Sequence, residues 1–181
     1  MTLRALEPED LDLLYQIENN RDLWQVGATN VPYSRYTLHD YIATSSDDIF
    51  ADRQVRLIVE NEQGTAVGIV DLVHFDPQHL RAEVGIVILP AFRRMGYALS
   101  AIQALCDYAV RIVHLHQLYA VVDNTNHAAL SLFEKAGFKS RNTIPKALVM
   151  FSSVNTSAGV PRAMSSREIR TASSKCSLII W

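Results

Sequence analysis

Arg93, Arg94 and Gly96 stand in a short loop between an apolar, β-branched run, Ala82–Pro90, and an apolar helical pattern from Leu99 to Val113. A strand that turns through a glycine into a helix start leaves the first-turn N–H groups unpaired and facing outward, and the helix dipole adds partial positive charge. Such a turn holds an anion. It is not a Walker A loop, because no Gly-Lys-Ser/Thr follows Gly96, and not a dinucleotide fingerprint, because it has one glycine and no suitably placed ribose-binding acid. The His114-x-His116 pair has no third ligand in view and reads as two exposed histidines at a helix end. Cys106 and Cys176 lack metal-ligand spacing and cannot build a disulfide framework, so Cys106 reads as core. No metal is expected.

The loop needs elements to hold it. Thr2 to Leu6 reads as a short strand, and Glu7-Pro8-Glu9-Asp10 as a helix start, with proline early and carboxylates in the first turn. Leu11, Leu14, Tyr15 and Ile17 mark that helix's apolar face. Arg21 to Tyr36 is loop-like, Leu38 to Ser45 a second helix, and Asp47 to Arg53 a connection. Val55–Glu60 and Ala66–Phe75 flank the turn signal Asn61-Glu62-Gln63-Gly64 and predict a hairpin, and Arg81–Leu89 returns as the third strand of an antiparallel meander. Leu99, Ile102, Leu105, Cys106, Ala109 and Ile112 recur at helical spacing. Leu118–Val122 is a strand, and His127–Ala136 a helix with N-cap candidates before it and Gly137 behind it. Antiparallel strands followed by strand–helix–strand–helix give an α+β (mixed α/β) fold.

A chain of 181 residues, 49% hydrophobic, supports one domain with a substantial core. The division expected is a single domain over 1–151 and an atypical C-terminal segment over 152–181. Net charge is −2 and the pI is about 6.3, which leaves no electrostatic footprint for nucleic acid. The first residues carry no apolar signal segment and no run is long enough to span a membrane, so a cytoplasmic location is expected.

Arg93-x-x-Gly96-x-Ala98 after a strand resembles the Gln/Arg-x-x-Gly-x-Gly/Ala loop of the GNAT superfamily, the acetyl-CoA-dependent N-acetyltransferases. Asn126–Phe138 is similar to that family's Asn-x-x-Ala-x-x-Leu-Tyr/Phe-x-Lys-x-Gly-Phe segment. Leu3–Asp10 resembles the opening of the branch that contains spermidine and ribosomal-protein N-terminal acetyltransferases. The resemblance runs in order from Leu3 to Phe138. It implies a central, mostly antiparallel sheet with a βαβα cofactor-binding half and helices on both faces.

The resemblance also names the anion. Backbone N–H groups of Arg94, Met95, Gly96, Tyr97, Ala98 and Leu99 would cradle the pyrophosphate of acetyl-CoA, with Arg93 and Arg94 adding charge. Backbone groups of Ile86, Val87 and Ile88 would pair with the pantetheine arm, and an N–H of Val87 or Ile88 would polarise the thioester carbonyl. Asn126 would cap its helix and touch the cofactor. Glu83, on the strand leading to the loop, is the expected base, acting through water; the competing reading is a salt-bridged glutamate beside Arg81 or Arg53. Where many relatives carry a tyrosine that protonates the departing thiolate, this chain has Phe133, which can pack on pantetheine but donates nothing. Tyr119 or a water would then substitute.

Polyamine acetyltransferases of this branch place acids in the loop between the first two helices. Here Gly27–Ser34 has none, and the hairpin offers His74. His74 and His79 flank that hairpin turn and are expected at the surface. The acceptor is therefore expected to be a primary amine, either a small molecule or a protein N-terminus, and a polycation site is not supported by these residues. The alternative is a GNAT-fold module that senses acyl-CoA with little turnover. After Phe138 the family's two closely spaced strands are not evident. Ala147–Phe151 and Cys176–Trp181 are strand candidates around a long loop, Ser152–Lys175; if the second does not dock, the last strand comes from a partner chain, as in a homo-oligomer, or is absent.

Overall fold

Alternation along each apolar run sets which face it buries, and the strands assemble accordingly. The computed structural model describes residues 1–24, 31–144 and 147–152. The strands are β1 (Thr2–Ala5), β2 (Val55–Glu60), β3 (Ala66–Asp76), β4 (Arg81–Ile88), β5 (Gln117–Asp123), β6 (Phe138–Ile144) and β7 (Ala147–Ser152). They form one sheet in the order β1–β2–β3–β4–β5–β7–β6, with β4–β5 parallel and the other pairs antiparallel. β3 and β4 approach closely at Gly68, where a Cβ would lie 2.2 Å from the Val87 carbonyl oxygen. The central strands are buried on both faces. On one, Ile58, Ile69 and Val87 meet Leu14 and Ile17 of α1 (Leu11–Glu18) and Leu38 of α3 (Arg35–Ala43). On the other, Val84, Ile86, Ile88, Leu118 and Ala120 meet Ile102 and Leu105 of α5 (Tyr97–Arg111) and Phe133 of α6 (His127–Lys135).

Several boundaries move for identifiable reasons. Helix α3 starts three residues before the expected Leu38, because the Ser34 hydroxyl caps it by accepting from the Thr37 N–H at 3.0 Å. The loop-like stretch contains α2 (Arg21–Trp24), and the connection after α3 contains α4 (Ile49–Asp52), capped by Asp48. Helix α5 starts at Tyr97, with Gly96 as its cap.

The region after Phe138 corrects the expectation. Two closely spaced strands are present, and β7 inserts between β5 and β6, pairing Val121 with Val149 and Tyr119 with Phe151. β6 escapes pattern reading because Lys139, Ser140, Arg141 and Asn142 carry the polar, charged composition of a sheet edge. Residues 153–181, and with them the Cys176–Trp181 strand candidate, lie outside the described residues, as does the Gly27–Asn30 half of the Gly27–Ser34 stretch.

Candidate active site

The anion loop is made from backbone geometry. Arg94 (φ +64°) and Gly96 (φ +90°) both take left-handed conformations on the way into α5, curling successive N–H groups into a concavity. Gly96 is the N-cap and, among the described residues, no side chain caps the helix, so the N–H groups of Tyr97, Ala98 and Leu99 face outward as an anion would need. Open space surrounds Gly96, with nothing within 4 Å of where a Cβ would stand. Phe92 and Tyr97 close the loop's base edge to face, with ring centroids 6.4 Å apart. Arg93 donates from Nε to the Ile88 carbonyl at 3.1 Å, tying the loop to the strand end, while Arg94 and Met95 are exposed. These features fit a pyrophosphate.

Beside the loop the sheet parts. β4 pairs with β5 only over Arg81–Glu83 against Gln117–Tyr119, and farther along β5 pairs with β7 instead. From Val84 to Ile88, β4 is hydrogen-bonded in register, among the described residues, to β3 alone, leaving alternate backbone groups facing the gap. Ile86, Val87 and Ile88 thus line an opening that an extended arm could enter, with side chains buried in the two cores.

Glu83 occupies the apex of that opening, in the last pair, opposite Tyr119. Its partner is neither Arg81 nor Arg53. Its Oε2 lies 3.0 Å from His74 Nδ1, and both side chains are largely buried. A β-bulge makes this contact. Between Val73 and Asp76, β3 holds one more residue than β4 does opposite, and His74 has φ +52°. Leu72 and Phe75 both enter the α5 core although three residues apart, which leaves Val73 and His74 on the other side, with Glu83. His74 is therefore not at the surface as expected, whereas His79 is exposed at the turn with its Nδ1 2.8 Å from Asp76. Arg81 pairs with the same aspartate at 3.2 Å.

Farther along this face lies a cluster that motif reading missed. Arg56 of β2 donates to Asp71 of β3 at 3.0 Å and to Glu18 of α1 at 3.1 Å, and all three side chains are buried. The guanidinium also stacks over the Tyr41 ring at 5.2 Å. Two carboxylates share one cation, and among the described residues Glu18 Oε2 has no hydrogen-bond partner. Burial pushes the Glu18 carboxyl up to about 7 against the pull of Arg56, and raises Asp71 as well. The legible signal was a charge on an apolar stripe: Glu18 beside Leu14 and Ile17, and Asp71 inside the run from Val67 to Phe75.

Asn126 caps α6 by accepting from the Ala129 N–H at 3.0 Å. Phe133 is fully buried, edge-on to Phe138 at 5.1 Å, so its ring belongs to the core beneath α6. Burial, reinforced by the Glu83 carboxylate, raises the Tyr119 phenol far above its ordinary range, so it remains protonated and is a reluctant acid. Burial likewise pushes the Cys106 thiol up to about 11, as befits a core cysteine.

A family model described as Acetyltransferase (GNAT) domain matches residues 1–139. A spermidine N(1)-acetyltransferase of Escherichia coli (strain K12) is 32% identical over 136 residues, covering 75% of this chain and 71% of its own length. Its Vibrio cholerae counterpart is 32% identical over 138 residues, 76% and 78% of the two chains. The crystal structure of the Vibrio cholerae spermidine N-acetyltransferase in complex with CoA and spermine superposes with a TM-score of 0.71 at 29% identity, over 83% of this chain and 92% of that one. These relatives are named as enzymes, and the sensor alternative gains no support from them. The chain belongs to the GNAT acetyltransferase family, and its reaction is transfer of an acetyl group from acetyl-CoA to a primary amine.

Proposed function

We propose that the acceptor is a small di- or polyamine of the spermidine class rather than a protein N-terminus, and that Glu83 is the seat of its deprotonation. The observation that carries the reading is the surplus of carboxylate on one sheet face. Glu18 and Asp71 share Arg56, and Glu83 stands farther along the same side of β4, two residues from the Gly85 that faces Asp71. An amine reacting near Glu83 with a second ammonium several bonds away would lie within the field of that buried cluster. The names of the relatives point the same way.

Acetyl-CoA supplies the acyl thioester. The uncapped N–H groups of Tyr97, Ala98 and Leu99, with Arg94 and Met95 before them and Arg93 beside them, would hold its pyrophosphate. The free-facing backbone of Ile86, Val87 and Ile88 would align its arm, and an N–H of Val87 or Ile88 would stabilise developing oxyanion charge. Asn126 would border the cofactor from the α6 cap. Phe133 contributes through the core that supports α6. Glu83, through one water, draws a proton from the ammonium, which at a lysine-like pKa of about 10.4 is otherwise almost fully charged at neutral pH. The leaving thiolate, with a cysteine-like pKa near 8.5, departs without an obligatory acid. A homo-oligomer is compatible with this arrangement.

Initial-rate measurements of thiol release test the acceptor. Spermidine and spermine are expected to exceed a monoamine of equal chain length, and peptides with free N-termini, by about tenfold or more in kcat/KM, the worth of one partly desolvated charge contact. Equal turnover of peptides overturns the acceptor assignment. Glu83→Gln is expected to lower kcat about 10²-fold with acetyl-CoA KM unchanged; wild-type kcat at every pH overturns the role of Glu83.

A further inference from the structure

We infer that Tyr119, backed by Phe151 and Val149, forms the end wall of the acyl site and limits the transferred group to acetyl. This rests on the placement of the cofactor arm along Ile86–Ile88 and adds to it the side chains that meet the acyl tail.

The opening between β4 and β5 has one closed end. The two strands are bonded over Arg81–Glu83 and Gln117–Tyr119, and the last bonded pair is Glu83 with Tyr119. The anion loop lies beyond the other end of β4, at residues 93–99. An arm anchored there and running past Ile88, Val87 and Ile86 therefore travels towards the closed end. It takes the place of a strand, so its tail is aimed at the Glu83–Tyr119 pair. The sheet leaves no gap at that pair, and a tail that reaches it must leave the sheet plane on one face.

The two sides of the opening differ in chemistry on the face that meets α1. Val84, Ile86 and Ile88 enter the α5 core, so alternation puts Glu83, Gly85 and Val87 of β4 on the α1 face. Along β5, Leu118, Ala120 and Val122 enter the α5 core, which puts Tyr119 and Val121 on that same α1 face. The β4 side is polar at the closed end, where Glu83 meets His74, and Gly85 brings no side chain to it. The β5 side is apolar. Tyr119 is paired in register with Phe151 and Val121 with Val149, and these residues of β5 and β7 form an apolar cluster of their own. Burial keeps the Tyr119 phenol protonated, so it brings no charge to that wall. An ammonium belongs against Glu83, and the methyl end of an acyl group belongs against Tyr119 and Val121.

The wall is anchored on both sides. The Tyr119 backbone is held by β4 on one edge and by β7 on the other, and its ring lies 6.3 Å from that of Phe151. Its side chain is 2% exposed. A group packed this closely does not withdraw without strain, and an extra methylene pressed against it typically costs about tenfold or more in affinity. Acetyl ends before the ring, whereas a longer tail runs into it.

The test titrates acetyl-CoA and butyryl-CoA into the full chain by calorimetry without acceptor, and measures thiol release from each at saturating spermidine. In wild type, butyryl-CoA is expected to bind about tenfold or more weaker than acetyl-CoA and to fall at least as far in kcat/KM. Equal affinities overturn the wall, and this comparison is independent of any variant's folding. Tyr119→Leu, which keeps an apolar side chain in the cluster, is expected to narrow both ratios about tenfold. Tyr119→Phe is expected to keep them, because ring bulk and not the hydroxyl sets the limit. Wild-type ratios in Tyr119→Leu, or narrowed ratios in Tyr119→Phe, overturn the assignment. The placement of the arm is read separately, by amide NMR: CoA is expected to shift the signals of Ile86, Val87 and Ile88. If they do not move, that placement falls and the wall with it. If they move while Tyr119→Leu keeps wild-type ratios, only the wall falls.

Discussion

Residues 93 to 99, proposed above as an anion cradle, lie within one stretch of chain, whereas the Glu18–Arg56–Asp71 cluster and the neighbouring His74–Glu83 pair are assembled from α1, β2, β3 and β4. The cradle works through main-chain N–H groups, two left-handed residues and a helix end, with side chains in supporting roles. The other region works through side-chain charge held in burial, where its worth depends on partners distant in sequence. A site built from backbone shape tolerates side-chain change and fails when its turn is disturbed. A site built from buried charge behaves in the opposite way, because removing one partner strands the others.

The largest effect expected to separate the two regions comes from Arg56→Leu. It leaves Glu18 and Asp71 buried without a cation and is expected to cost about 3–5 kcal/mol, read by urea unfolding at pH 8. The loss should shrink in acid, where both carboxyls, already raised by burial, take protons. A loss under about 1 kcal/mol would show that water reaches the cluster and that the contrast with the cradle is overstated.

Next is Gly96→Ala, which forces a Cβ into φ +90° at the helix cap. About a tenfold rise in acetyl-CoA KM is expected, with spermidine KM unchanged at saturating cofactor, since the strain of about 1–2 kcal/mol falls on the cradle. An equal rise in both would mean that the two regions are coupled.

The smallest is Glu18→Gln. Glu18 carries its proton more tightly in the folded chain, at about 7 against an ordinary 4.5, so wild-type stability falls as pH rises from 4.5 through 7. The variant is free of that fall. It is expected to be more stable by about 1 kcal/mol above pH 7 and to lose that advantage near pH 4.5, as read by thermal melts across the range. Spermidine KM should rise in the same variant if the surplus charge serves the acceptor. A variant less stable than wild type at pH 8 would show that the Arg56 contact outweighs the burial of the second carboxylate.

Legibility followed the same division. The Arg93–Ala98 loop, the Asn126 cap, the meander and both helical stripes could be read because each rests on short-range pattern: a glycine, a capping side chain, alternation, a period of 3.6. The Glu18–Arg56–Asp71 cluster could not, since nothing local distinguishes a charge that will be buried and paired from one that will be solvated. His74 was misplaced at the surface because its orientation depends on one extra residue in β3, visible only once β3 and β4 are in register. β6 was overlooked because an edge strand need not alternate.

The sequence alone determined the meander, the two amphipathic helices α1 and α5, the capped helix α6, the strand–glycine–helix turn and the family, because those are set by local sterics and hydrogen-bonding chemistry that adjacent residues carry with them. Tertiary structure decided that β4 and β5 part at Glu83, that His74 turns to meet it, and that two carboxylates lie against one arginine under α1. Those outcomes depend on register and burial, which raise the strength of a charge contact by removing water and exist only when distant strands are placed side by side.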